Sequence, residues 1–66
     1  MKSILVINPN TTESMTHAIG VAARSVADPE FEIVVTQPSF GPRSIEGHFD
    51  EVIAAAGVAE QVRRHA

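Results

Sequence analysis

Cysteine, tryptophan and tyrosine are all missing from this sequence of 66 residues, and its aromatic side chains are three phenylalanines. Without thiols there are no disulfides and no thiolate metal sites. A chain this short buries only about 60% of its unfolded surface, and here no covalent staple makes up the difference. Basic residues are also scarce: five Lys and Arg stand against eight Asp and Glu, for a formal net charge of −3. Nucleic-acid binders carry a basic patch, so no nucleic-acid partner is expected. The pair Arg63-Arg64 reads instead as a complement to a helix C-terminus.

Long apolar runs are missing as well. Nothing approaches the ~20 residues of a membrane span. Ile4 to Ile7 is cut off by Asn8-Pro9 and is too short for a signal-peptide core. No membrane association and a cytoplasmic location are therefore expected. His17, His48 and His65 have no second ligand at metal spacing, so no metal site is expected. The turn after the first apolar run has no glycine, which excludes the dinucleotide fingerprint and the phosphate-binding loop. The second run ends in Thr36-Gln37, with no acidic side chain for a ribose.

What is present alternates. The run Ser3 to Ile7 suits a strand, about Lys2 to Ile7, buried on both faces as in a parallel sheet, and Pro9 should end its ladder. Asn10 with Glu13 three residues later reads as a helix start. Met15, Ala18, Ile19, Ala22 and Val26 form a stripe at helical spacing. The helix, about Thr11 to Ala27, should stop where Asp28 precedes Pro29. Phe31 to Thr36 reads as a second strand. Residues 37–47, rich in Pro, Gly and Ser, read as a long loop. From about His48 a second helix runs on, with Phe49, Val52, Ile53 and Ala56 on one face. Gly57 inside it points to close packing.

The order β-α-β-α demands parallel strands joined by a right-handed crossover and indicates an α/β layered fold. Two parallel strands are not a complete sheet. Residues 1–66 are thus expected to be one partial N-terminal α/β lobe. An open edge along Ile4 to Ile7 should recruit further strands, either of a longer chain or of a second copy.

In open α/β sheets ligands bind beyond the carboxyl ends of the strands. Two loops sit there. Asn8-Pro9-Asn10-Thr11-Thr12 either caps the helix or aims donors at an anion or a developing enolate oxygen. In the second loop Arg43 either pairs with a carboxylate or is solvated, and Glu46 either acts as a base or starts a helix. Ser14 and His17 could touch but have no orienting acid. No catalytic residue emerges.

These segments resemble a known family. Asn8-Pro9-Asn10-Thr11-Thr12, then Met15-Thr16, Gly41-Pro42 and Ser44-Ile45-Glu46-Gly47-His48-Phe49-Asp50-Glu51, are similar to hydantoin and allantoin racemases of the aspartate/glutamate racemase superfamily. The resemblance covers the whole chain in the right order. It implies a two-lobed enzyme, each lobe flavodoxin-like α/β, with the site between the lobes. It implies cofactor-independent racemisation of a small-molecule substrate by two cysteines on opposite faces of the stereocentre. The first of those cysteines would follow a third strand, beyond Ala66, so the chain alone should be inactive. Carried over by position, the resemblance makes Asn8, Asn10, Thr11, Thr12, Pro42, Arg43 and Ser44 substrate-binding. A homo-oligomer is expected. The alternatives are another superfamily reaction, such as amino-acid racemisation or the isomerisation or decarboxylation of a small dicarboxylic acid, or a small self-associating anion-binding module.

Overall fold

The apolar run near the N-terminus does form a strand. The computed structural model describes residues 2–66, with β1 at Lys2–Ile7, α1 at Glu13–Val26, β2 at Phe31–Thr36 and α2 at His48–Arg64. The two strands pair in parallel, with Lys2 opposite Phe31, Ile4 opposite Ile33 and Ile7 opposite Thr36. The last ladder bond runs from the Asn8 N–H to the Thr36 carbonyl at 3.0 Å. Pro9 follows, and the next N–H on that side, that of Asn10, bonds Asn8 Oδ1 instead of β2.

The helices lie on opposite faces of this sheet. Successive strand side chains point to opposite faces. Val35 meets α1 at Gly20, where an added Cβ would sit 3.1 Å from its methyl group. Its neighbour Thr36 donates its hydroxyl to Gln61 of α2 at 2.8 Å. Two residues in succession thus fix a layered α/β arrangement.

Among the described residues, the helix faces that pack lie beside the apolar stripes rather than on them. In α1 the covered positions are Thr16, Ile19, Gly20 and Ala23, whereas Met15 and Val26 are exposed, Val26 by 85%. In α2 they are Ile53, Ala54, Gly57 and Gln61, whereas Phe49 is 79% exposed. Each packed face is displaced from its apolar stripe by one residue, about 100° around a helix of 3.6 residues per turn. The reason is distance. Gly57 lies so near the loop after β2 that a Cβ would fall 2.6 Å from the Pro38 Cβ. Large apolar side chains cannot enter such a contact, and small ones can.

The start of α1 also differs from expectation. The N-cap is Thr12, without a side-chain cap bond, and the helix begins at Glu13. Asn10 is engaged elsewhere, as described below. The helix ends as expected, with Ala27 N–H bonded to the Ala23 carbonyl before Asp28-Pro29. Asp28 then accepts the Glu30 N–H on its side chain at 2.8 Å and the Phe31 N–H on its carbonyl at 2.9 Å, turning the chain into β2. At α2 the Asp50 carboxylate reaches back to the Glu46 N–H at 3.0 Å, a capping-box type of contact.

Candidate functional site

Asn8, the last residue before Pro9, is 1% exposed. Burial of an amide is costly unless every polar atom is paired, and here they are. Asn8 Oδ1 accepts the Asn10 N–H at 3.3 Å. That contact fixes which end of the amide is which, because a backbone N–H can only donate. Asn8 Nδ2 therefore faces the other way, donating to Asn10 Oδ1 and to the Thr16 hydroxyl, both at 2.9 Å, with the Thr12 carbonyl at 3.4 Å.

The same logic orients Asn10, which is 8% exposed. Its Oδ1 accepts from both Asn8 Nδ2 and the Thr12 N–H, the latter at 3.0 Å. Its Nδ2 is thereby turned out of the cluster. There its one hydrogen-bond partner among the described residues is the thioether of Met15, at 3.2 Å. This local turn, rather than a helix cap, is what Asn10 builds.

The cluster extends into the second loop. The Thr16 hydroxyl donates to Gln37 Oε1, and Gln37 Nε2 donates to the Thr11 carbonyl at 3.1 Å. Thr11 N–H bonds the Pro42 carbonyl at 3.0 Å, the Thr11 hydroxyl bonds the Gly41 carbonyl at 3.2 Å, and the Thr12 hydroxyl bonds the Arg43 carbonyl at 2.6 Å. Further along the chain, Glu60 of α2 accepts both the N–H and the hydroxyl of Ser39. Those bonds, with the neighbouring Gln61 amide and the Arg64 charge, hold its carboxyl below the usual value.

Of the seven residues expected at the site, Asn8, Asn10, Thr11, Thr12, Pro42 and Arg43 are joined by these bonds at the carboxyl ends of both strands. Ser44 follows Arg43 in the chain without such a bond. The seven take part in different ways. Asn8 lies behind Asn10 with its amide fully engaged. Thr11 and Thr12 spend their hydroxyls on the loop. Pro42 and Arg43 supply carbonyls to that join. The Arg43 side chain and the Ser44 hydroxyl are exposed and have no hydrogen-bond partner among the described residues. Glu46, His17 and Ser14 are exposed and contribute no chemistry to the cluster. Thr16 and Gln37 were missed as members; their signal is position, one turn into the helix and one residue past the strand. A cleft of about 510 Å³ opens next to them along the free edge of β2, lined by Glu13, His17, Gly20 and Arg24. Among the described residues no three acidic or histidine side chains gather to hold a metal ion, and no helix is long and apolar enough to cross a membrane.

The sequence model for Asp/Glu/hydantoin racemase matches residues 4–66. The chain belongs to this family. A hydantoin racemase of Pseudomonas sp. (strain NS671) is 46% identical over 61 residues, 92% of this chain and 24% of that protein. A hydantoin racemase of Paenarthrobacter aurescens is 43% identical over 61 residues, 92% of this chain and 26% of that protein. The allantoin racemase structure from Klebsiella pneumoniae superposes with a TM-score of 0.94 at 58% identity, over 97% of this chain and 26% of that one. An allantoin racemase from Pseudomonas fluorescens gives 0.89 at 48% identity, over 92% and 26%. The chain spans about a quarter of the length of the racemases it matches. The parallel pair with its flanking helices has its counterpart in both of those structures.

Proposed function

We propose that these residues form the polar wall of a substrate site in a cofactor-independent racemase acting on a 5-substituted hydantoin such as allantoin, in the cytoplasm. The observation that carries the reading is the Asn10 amide. Two donors fix its Oδ1, so its Nδ2 faces away from Asn8 and the Thr12 N–H, held by a thioether alone. A thioether is a weak acceptor, so a ligand carbonyl readily takes its place. Arg43 and Ser44 stand free on the loop tied to the same turn.

Removing the proton at the stereocentre of a hydantoin places negative charge on the adjacent carbonyl oxygen. A fixed amide donor at that oxygen favours the charged state over the ground state. The family resemblance implies that two thiols exchange the proton, one on each face. The 66 residues contain no cysteine, so their part is binding and charge stabilisation. Asn8, Thr11, Thr12 and Pro42 hold the wall; Asn10, Arg43 and Ser44 meet the ligand. As residues 1–66 alone they form a partial lobe and should not racemise a hydantoin.

The test is the loss of optical rotation of a chiral 5-substituted hydantoin. In the full-length protein, Asn10→Ala should lower kcat/KM by roughly 100-fold or more, the scale of a lost oxyanion donor. Stability is measured alongside, since the Ala variant also leaves Asn8 Nδ2 and the Thr12 N–H without their acceptor, a loss of about 1–3 kcal/mol for each group left unpaired. An unchanged rate per folded molecule would reduce Asn10 to a structural residue.

A further inference from the structure

We infer that Met15 is a positioning residue that acts through Asn10, as a placeholder acceptor that a substrate carbonyl displaces; this rests on the proposal that such a carbonyl meets Asn10. The geometry comes first. The Asn10 amide cannot turn, because its Oδ1 is held by Asn8 Nδ2 at 2.9 Å and by the Thr12 N–H at 3.0 Å. Its Nδ2 is thereby committed to one direction, and in that direction lies Met15 Sδ at 3.2 Å.

An N–H at a site only 8% exposed is destabilising without a partner. The empty site therefore needs an acceptor. A strong one, such as an amide oxygen, would satisfy the N–H but compete with a ligand. Sulfur satisfies it weakly, so little is lost when a carbonyl oxygen replaces it. Met15 is also suited to withdrawal. It lies in the first turn of α1, the residue 47% exposed, and its unbranched side chain has three rotatable bonds. Among the described residues α1 packs through Thr16, Ile19, Gly20 and Ala23, and Met15 stands beside that face.

Two substitutions separate the placeholder from mere bulk. Met15→Leu keeps the volume and removes the acceptor. Met15→Gln supplies a strong acceptor. The full-length protein is labelled at asparagine side-chain amides and methionine methyls and titrated with unsubstituted hydantoin, which binds without turnover. In the wild type the Asn10 amide and the Met15 methyl signals should shift together. Met15→Gln should weaken hydantoin binding roughly fivefold or more, the scale of one competing hydrogen bond, and raise KM for allantoin with kcat retained. Met15→Leu should bind as tightly as the wild type or tighter, because the ligand then satisfies an otherwise unpaired N–H. The inference is overturned if the Asn10 amide shifts while the Met15 methyl does not, or if the Leu variant binds as weakly as the Gln variant. If the Asn10 amide is silent to hydantoin and no turnover occurs, the proposed site fails and the placeholder with it. The wild-type titration alone decides the matter if either variant does not fold.

Discussion

Asn8 and Asn10 form a reciprocal pair: the Asn10 N–H donates to Asn8 Oδ1 at 3.3 Å, and Asn8 Nδ2 donates back to Asn10 Oδ1 at 2.9 Å. Each amide sets the orientation of the other. The pair also reaches the Thr12 N–H and the Thr16 hydroxyl, so it joins the end of β1 to the start of α1 without a helix cap.

The pair does not tolerate a change of donor to acceptor. Asn8→Asp would place a carboxylate oxygen against Asn10 Oδ1 and the Thr12 carbonyl. The expected loss is about 3 kcal/mol or more, the scale of a buried charge without partners. Urea unfolding of both proteins measures it; a loss below ~1 kcal/mol would mean the cluster rearranges freely.

Gly57→Ala should destabilise despite the ~1 kcal/mol that alanine gains in a helix interior. The new methyl would lie 2.6 Å from Pro38 Cβ and 3.3 Å from the Phe40 carbonyl, backbone included. Overpacking of this kind costs ~1–3 kcal/mol. Thermal unfolding should show a lowered midpoint, and a raised one would show that α2 can move off the loop.

Glu60 should make stability depend on pH. Its folded carboxyl is held below the ordinary 4.5, first by the Ser39 hydroxyl, then by the Ser39 N–H and Gln61, with Arg64 adding its charge. Because the folded form binds its proton less readily, the contribution is present above 4.5 and is lost as pH falls from there through the lowered folded value. Glu60→Gln keeps an acceptor for Ser39 and removes the titration. Denaturation midpoints from pH 6 to 3 should therefore fall less steeply in that variant; equal slopes would exclude Glu60 as a source of acid sensitivity.

Arg24 should protect an edge. Thr36 directs its carbonyl toward β1, so by alternation Ile33 directs its own away from β1, to the free side of β2. Arg24 Nη2 occupies that carbonyl at 3.2 Å. A blocked edge resists strand addition. Arg24→Ala should increase concentration-dependent association in sedimentation; no change would mean the edge is harmless uncovered.

The strands were legible in the sequence because their signal is local: apolar runs ended by Pro9 and by the Gln37-Pro38 break. Both strands have the expected bounds, and α2 starts at His48 as read. The start of α1 was not legible in detail. Asn10 has the chemistry of a cap, and only the position of Asn8 beside it diverts it into a different turn. The helix faces that meet the sheet and the loop were not legible for a related reason. Periodicity finds Met15 with Val26, or Phe49 with Val52, as the most apolar stripe. It does not register that Gly20 and Gly57 lie one residue over, where close approach is possible. Gln61 escaped notice because a buried polar residue becomes reasonable only when its partner, Thr36, is known. The candidate site was legible as two loops at the strand ends, while its internal wiring through Thr16 and Gln37 depends on distances that spacing does not contain.

The loop after β2 is anchored twice, by Glu60 at Ser39 and by Thr11 and Thr12 from Gly41 to Arg43. Residues 44–47 carry no bond to the first turn, and there the Glu46 N–H is held by Asp50 of α2 instead. Under the proposed function, a wall held this way keeps one backbone shape whether or not ligand is bound. Little ordering entropy then opposes association, and arrival at this wall should be governed by diffusional encounter and by the release of Met15 rather than by a slow rearrangement of backbone.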